Sequence, residues 1–147
     1  MKIIHTFSVN ASKEIVWKVL TNFTQLSRWA GLTRDFLIPN TLMKPGMPFT
    51  EVHLFLGKRL YKGTFTEWSE KTGWALESFP GEGTGIPLYH AVWYSLTEVA
   101  GSTRITSTAL YKTTWKFGSI VDSMLAPLAY LYIWNLHRCI KRGCNTE

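Results

Sequence analysis

The chain has 147 residues, enough for one domain with a substantial core. Hydrophobic residues make up 46% and charged residues 18%, which excludes an intrinsically disordered chain. The net charge of +6 comes from scattered basic residues without a long run or a nucleic-acid motif, so it reads as solvated surface and no nucleic-acid partner is expected. An anionic partner or membrane surface is the lesser alternative. Aromatic residues reach 14%, and much of that area must lie inside or face a ligand. Cys139 and Cys144 flank the end of one expected helix and are poorly placed for a mutual disulfide. The opening MKIIHTFSV is too short and polar for a signal-peptide core, so the expected setting is reducing and cytoplasmic.

Lys2 to Val9 alternates and is rich in β-branched residues, which predicts a strand. Asn10 or Ser12 then caps a helix over Ala11 to Thr21, with Ile15, Val16, Val19 and Leu20 as its inner stripe. A second short helix runs from Phe23 to Trp29 and is closed by Gly31. From there the period changes. Thr33 to Pro39 is a short strand, and Pro45-Gly46 marks a turn. Phe49 to Leu56 and Arg59 to Trp68 form a hairpin with Gly57-Lys58 at its tip. A strand over Gly73 to Phe79, the loop 80–87 and two longer strands, Leu88 to Val99 and Thr103 to Lys112, follow.

Alternation assigns the faces of these strands. If Leu56 opposes Arg59, then Val52, Leu54, Leu56, Tyr61 and Phe65 face inward, while Glu51, His53 and Lys62 face water. Trp74 and Leu76 point in, as do His90, Val92, Tyr94 and Leu96. On the last strand Ile105, Ser107, Ala109 and Tyr111 point in, with Arg104, Thr106 and Thr108 outward.

Ser119 to Arg142 reads as one long C-terminal helix around which the strands are organised. Its inner stripe is Val121, Leu125, Leu128, Tyr132, Leu136 and Cys139, flanked by Met124, Leu131 and Ile140. Asp122, His137 and Lys141 lie on the other side, Pro127 bends the axis, and Gly143 is a ready terminator. The apolar run from Met124 to Trp134 is far shorter than the roughly 20 residues a membrane span needs, so no transmembrane segment is expected.

The opening order of strand, VNASKEIVWKVL and TNFTQLSRW resembles the START/Bet v 1-like superfamily, within it the polyketide cyclase/dehydrase group. Val9, Ala11, Val16, Trp17, Leu20, Phe23, Leu26 and Trp29 carry the likeness. Pro45-Gly46, the Phe65 to Trp74 spacing, Leu96 and Gly101 to Arg104 extend it over nearly the whole chain. The resemblance implies an α+β helix-grip fold, in which a sheet of about seven antiparallel strands wraps a C-terminal helix over residues 1–147. It also implies a hydrophobic cavity for a lipid, polyketide or similar molecule, and it carries no universal catalytic motif.

The residues themselves offer little chemistry. His5, His53, His90 and His137 stand isolated, no set has metal-ligand spacing, and no metal or cofactor is expected. Gly81 to Gly85 lacks the lysine and the helix of a phosphate cradle. His90 alone is an ionisable group on an expected apolar face, able to bond a ligand or act as a general base, although a satisfied core histidine is the commoner case. The expected reading is therefore a binding protein for a small hydrophobic or amphipathic molecule. Its lining would be Leu54, Phe65, Trp74, Leu76, His90, Val92, Tyr94, Met124, Leu128 and Tyr132, with Trp29 and the loop at Thr84 to Ile86 at the entrance. The alternatives are a cyclase or dehydratase using His90, and a partner-binding module with a filled interior. Exposed apolar residues could also support a homodimer.

Overall fold

Alternating strands and one long helix decide the architecture. The computed structural model describes residues 1–25, 33–39, 42–53, 59–81, 88–113 and 117–146. The strands are β1 (Lys2–Val9), β2 (Thr33–Leu37), β3 (Pro48–His53), β4 (Arg59–Ser69), β5 (Gly73–Pro80), β6 (Leu88–Val99) and β7 (Ser102–Thr113). They form one antiparallel seven-stranded sheet in the order β1-β7-β6-β5-β4-β3-β2. Helix α1 (Lys13–Thr21) and a single 3-10 turn (Phe23–Gln25) follow β1, and helix α2 (Gly118–Thr146) closes the chain. This is the α+β helix-grip arrangement. No helix among the described residues is long and apolar enough to cross a membrane.

Local chemistry explains most element ends. The Ser12 hydroxyl accepts the backbone N–H of Ile15 at 3.4 Å and starts α1, whose Val16, Val19 and Leu20 are buried. Ala100 and Gly101 both take positive φ, so a two-residue turn joins β6 to β7 with Val99 opposite Ser102. The predicted second helix is a 3-10 turn at Phe23–Gln25; its continuation through Trp29 and Gly31 lies outside the described residues.

Two predicted faces are corrected. In the β3–β4 hairpin, Val52 opposes Leu60 and His53 opposes Arg59. The assumed pairing of Leu56 with Arg59 is therefore out of parity, and such a slip turns every side chain over. Glu51 opposes Tyr61, so Glu51 and His53 belong to the inner face, not the solvent face. Val52 lies opposite, beside the half-exposed Leu60.

The second correction concerns α2. Its buried stripe is Ile133, Leu136, His137, Ile140 and Cys144, packed on α1, β1 and β7. Met124 is 74% exposed, Leu128 52% and Leu131 64%, so they point away from the core. The cause is Asp122, predicted to face water. Its carboxylate accepts the Thr113 backbone N–H at 3.3 Å and the Thr113 hydroxyl at 3.1 Å, and stands 3.7 Å from the N-terminal ammonium. That contact turns the Asp122, Ala126 and Ala129 side of the first turns toward the sheet. Gly143 does not end the helix. It lies in α2 where a Cβ would come within 3.1 Å of Val19 Cγ1, so it lets the two helices approach.

His137, also predicted outside, is packed at a tilt between His5 and Phe7 with ring centroids 3.8 Å from each. Burial, then the nearby charges of His5 and Lys141, lower its pKa from 6.5 to about 4. The unfolded chain thus takes up this proton at higher pH than the folded one. The resulting stability is fully present above pH 6.5 and is lost as the pH falls through 4. Allowing for solvent screening, about 1–2 kcal/mol is at stake. His137→Leu should flatten the melting temperature between these limits; a variant curve parallel to that of the wild type would assign the slope elsewhere.

Candidate functional site

The inner face of the sheet divides into an aromatic half and a polar half. In the aromatic half, Phe65 is fully buried, with Phe23, Phe49 and Trp74 ring centroids 5.5, 5.3 and 6.0 Å away. Phe36 stacks on Phe23 at 5.1 Å and on Phe49 at 4.6 Å, and Trp74 meets Tyr94 at 4.8 Å. Val16, Val19 and Leu20 of α1 close this cluster from above. Of the sequence-predicted lining, Phe65, Trp74, Leu76 and Tyr94 are buried here, with Val92 packed against them. Tyr132 lies elsewhere, with Ile3, Ala109 and Tyr111 under the middle of α2. Met124 and Leu128 are on the surface. Trp29, Leu54 and the loop at Thr84 to Ile86 lie outside the described residues.

One residue shows how tightly the two halves are joined. Gly63 on β4 faces inward, and a Cβ there would collide with the Phe49 ring and the Glu77 carbonyl oxygen. Gly63→Ala should cost about 1–3 kcal/mol, read as a lower urea midpoint at unchanged slope. An unchanged midpoint would mean that the sheet is looser here than its packing implies.

The polar half is Glu51 and His53 on β3, Tyr61 on β4, His90 on β6 and Tyr111 on β7. β3 and β6 are separated by β4 and β5. Their side chains meet because the sheet curves and because the inward positions between them are small: Gly63 opposes Ser78, which opposes His90. Glu51 Oε1 lies 2.8 Å from His90 Nε2, and Glu51 Oε2 lies 3.1 Å from His53 Nε2. Tyr61 packs on both imidazoles, with centroids 4.7 Å from His53 and 5.7 Å from His90. Tyr111 stacks against His90 at 6.2 Å.

Glu51 is 3% exposed and His90 6%. Burial alone would raise the Glu51 carboxyl, but attraction to His90 and polar contacts with both imidazoles outweigh it and hold the group well below the usual carboxylate range. Burial, then the Glu51 charge, pushes the Tyr111 hydroxyl up to about 12. Burial, then Tyr111, raises that of Tyr94 as well. Chemically this is a carboxylate between two imidazoles, walled by the Tyr61 and Tyr111 rings.

Six buried side-chain polar atoms have no hydrogen-bond partner among the described residues: Glu51 Oε1, His53 Nε2, Trp74 Nε1 and Ser78 Oγ in this region, and His5 Nδ1 and His137 Nε2 where β1 meets α2. Glu51 Oε1 and His53 Nε2 do have the short charged contacts given above, which Trp74 Nε1 and Ser78 Oγ lack. Glu51, His53 and His90 are also residues that could hold a metal ion, each offering one ligand atom. The histidines are therefore not isolated as the sequence suggested: His53 meets His90, and His5 meets His137. The sequence did hold one signal. Glu51 and His53 stand at i and i+2, which puts them on one face whatever the register.

No protein-family model matches the sequence, and no curated protein matches it. Solved structures do match the fold. The Zhui aromatase/cyclase from Streptomyces sp. R1128 superposes with a TM-score of 0.78 at 11% identity, over 99% of this chain and 93% of that one. A START superfamily protein from Mycobacterium smegmatis gives 0.72 at 13% identity, over 99% and 97%. Ara h 8.0201 gives 0.71 at 10% identity, over 100% and 99%. At such identities the likeness is one of fold, and that fold is the START/Bet v 1-like one.

Proposed function

We propose, from a START/Bet v 1-like fold with a polar cluster on its inner face, that this chain binds a small hydrophobic or amphipathic molecule between the sheet and α2. The observation that carries this reading is a pair of buried polar atoms on the inner face with no hydrogen-bond partner among the described residues, Trp74 Nε1 and Ser78 Oγ. Such atoms are costly inside a fold unless something satisfies them. A ligand with a polar end would do so. Leu76, Val92, Tyr94 and Tyr132 supply apolar wall in this reading, Phe65 backs Trp74, and Met124 and Leu128 are left to the rim. Each buried CH₂ of ligand contributes about 0.8 kcal/mol and each hydrogen bond about 1, so apolar area supplies affinity and the polar cluster sets orientation. A panel of fluorescent fatty acids and sterols, with native mass spectrometry of the purified chain, tests this. A retained or saturably bound lipid supports it; neither being found refutes it.

The 2.8 Å contact of Glu51 with His90 favours a second reading. A carboxylate that orients an imidazole is the arrangement of a general base. The fold neighbour from Streptomyces sp. R1128 is an aromatase/cyclase. In this reading His90 takes a proton from an aromatic polyketide-like substrate and Glu51 steadies the imidazolium. Turnover of such a substrate that survives both His90→Ala and Glu51→Gln removes it.

A further inference from the structure

We propose that Glu51, His53 and His90 bind one divalent transition-metal ion of the zinc class. This goes beyond the small-molecule reading and does not depend on it.

The donor set is one carboxylate oxygen and two imidazole nitrogens, a combination that suits Zn²⁺, Co²⁺ or Ni²⁺ better than Mg²⁺ or Ca²⁺, which prefer oxygen. The three ligand atoms all lie within 4.8 Å of one another. The two contacts to Glu51 measure 2.8 and 3.1 Å. In a tetrahedral site with bonds of about 2.0–2.1 Å, neighbouring ligand atoms stand roughly 3.3 Å apart. A cation therefore fits among them after small shifts.

The orientation of the groups agrees. Both imidazoles turn Nε2 toward the one carboxylate, His90 at 2.8 Å from Oε1 and His53 at 3.1 Å from Oε2. Burial strengthens the case. Glu51 is 3% exposed and His90 6%, so water competes poorly for the ligand atoms. Tyr61 packs on both rings and Tyr111 on one, which limits their rotation before any ion arrives. The chain contributes three ligands, which leaves a coordination position for water or a bound molecule.

The test uses the untagged full chain, stripped with chelator and titrated calorimetrically with Zn²⁺ and then Co²⁺. One ion per chain is expected, with the intense visible absorption of four-coordinate Co²⁺. Glu51→Gln, His53→Ala and His90→Ala should each weaken Zn²⁺ binding by more than the roughly 10–100-fold typical of outer-shell losses. His5→Ala, outside the cluster, should leave it unchanged. Variants that do not fold are replaced by X-ray absorption of the Zn²⁺-loaded wild-type chain, which should show two imidazoles and oxygen. Absence of stoichiometric binding, binding that survives all three substitutions, or an all-oxygen shell overturns the proposal.

Discussion

Phe65→Ala should lower the stability of the fold by about 3–5 kcal/mol. Phe65 has no exposed surface, and rings from the 3-10 turn, β2, β3, β4 and β5 lean on it: Phe23, Phe36, Phe49, Trp68 and Trp74. Those rings cannot collapse into the space a methyl would leave. The main chain of Phe65 is pinned as well: its N–H donates to the Met47 carbonyl at 2.9 Å, and its own carbonyl accepts the Gly46 N–H at 2.8 Å. An unrelaxed void costs roughly 24 cal/mol per Å³, added to the lost transfer energy of the ring. For a chain of this size the melting temperature should fall by about 10 °C or more. Phe65→Leu, which keeps much of the volume, should lose less than half as much. Urea unfolding of both variants checks this. A loss below about 1 kcal/mol for the alanine variant would mean that the aromatic cluster is not the core.

Much of this cluster was legible beforehand. Trp74, Leu76, His90 and Tyr94 all sit on the face that alternation assigned to them, and so do Ile105, Ser107 and Ala109. The reason is local. β6 and β7 are joined by the two-residue turn Ala100-Gly101, and a turn of known length transmits parity from one strand to the next. The β3–β4 connection has no such marker. Assuming a two-residue turn at Gly57-Lys58 put Glu51 and His53 on the wrong face, and with them half of the candidate site. α2 failed for a different reason. Its first turns are apolar on most sides, so a period of 3.6 cannot select the buried stripe. The selection is made by Asp122 reaching Thr113 and the chain's own N-terminus, partners that no local pattern reveals. The meeting of Glu51 with His90 is likewise a product of sheet curvature across β4 and β5, and spacing along the chain carries no trace of it.

Replacing both His53 and His90 by leucine should invert the way Glu51 couples stability to pH. In the native chain the two imidazoles hold the Glu51 carboxyl below its ordinary value of 4.5. Its stabilising contribution is therefore present above pH 4.5 and is lost as the pH falls. Without the imidazoles only burial acts, and burial raises the folded pKa. The contribution is then present below pH 4.5 and is lost as the pH rises through the new value. At neutral pH an uncompensated buried carboxylate should cost about 3–5 kcal/mol. Urea unfolding at pH 5 and pH 7.5 should find the double variant much the weaker at the higher pH; equal stability at both would show that Glu51 is solvated. Adding Glu51→Met removes the charge and should restore most of the loss, because a well-packed apolar replacement for a buried ionic group is often neutral or better. That triple variant carries the wider argument. If it is as stable as the native chain, the fold does not need Glu51, His53 or His90, and their presence on the inner face answers to what they bind.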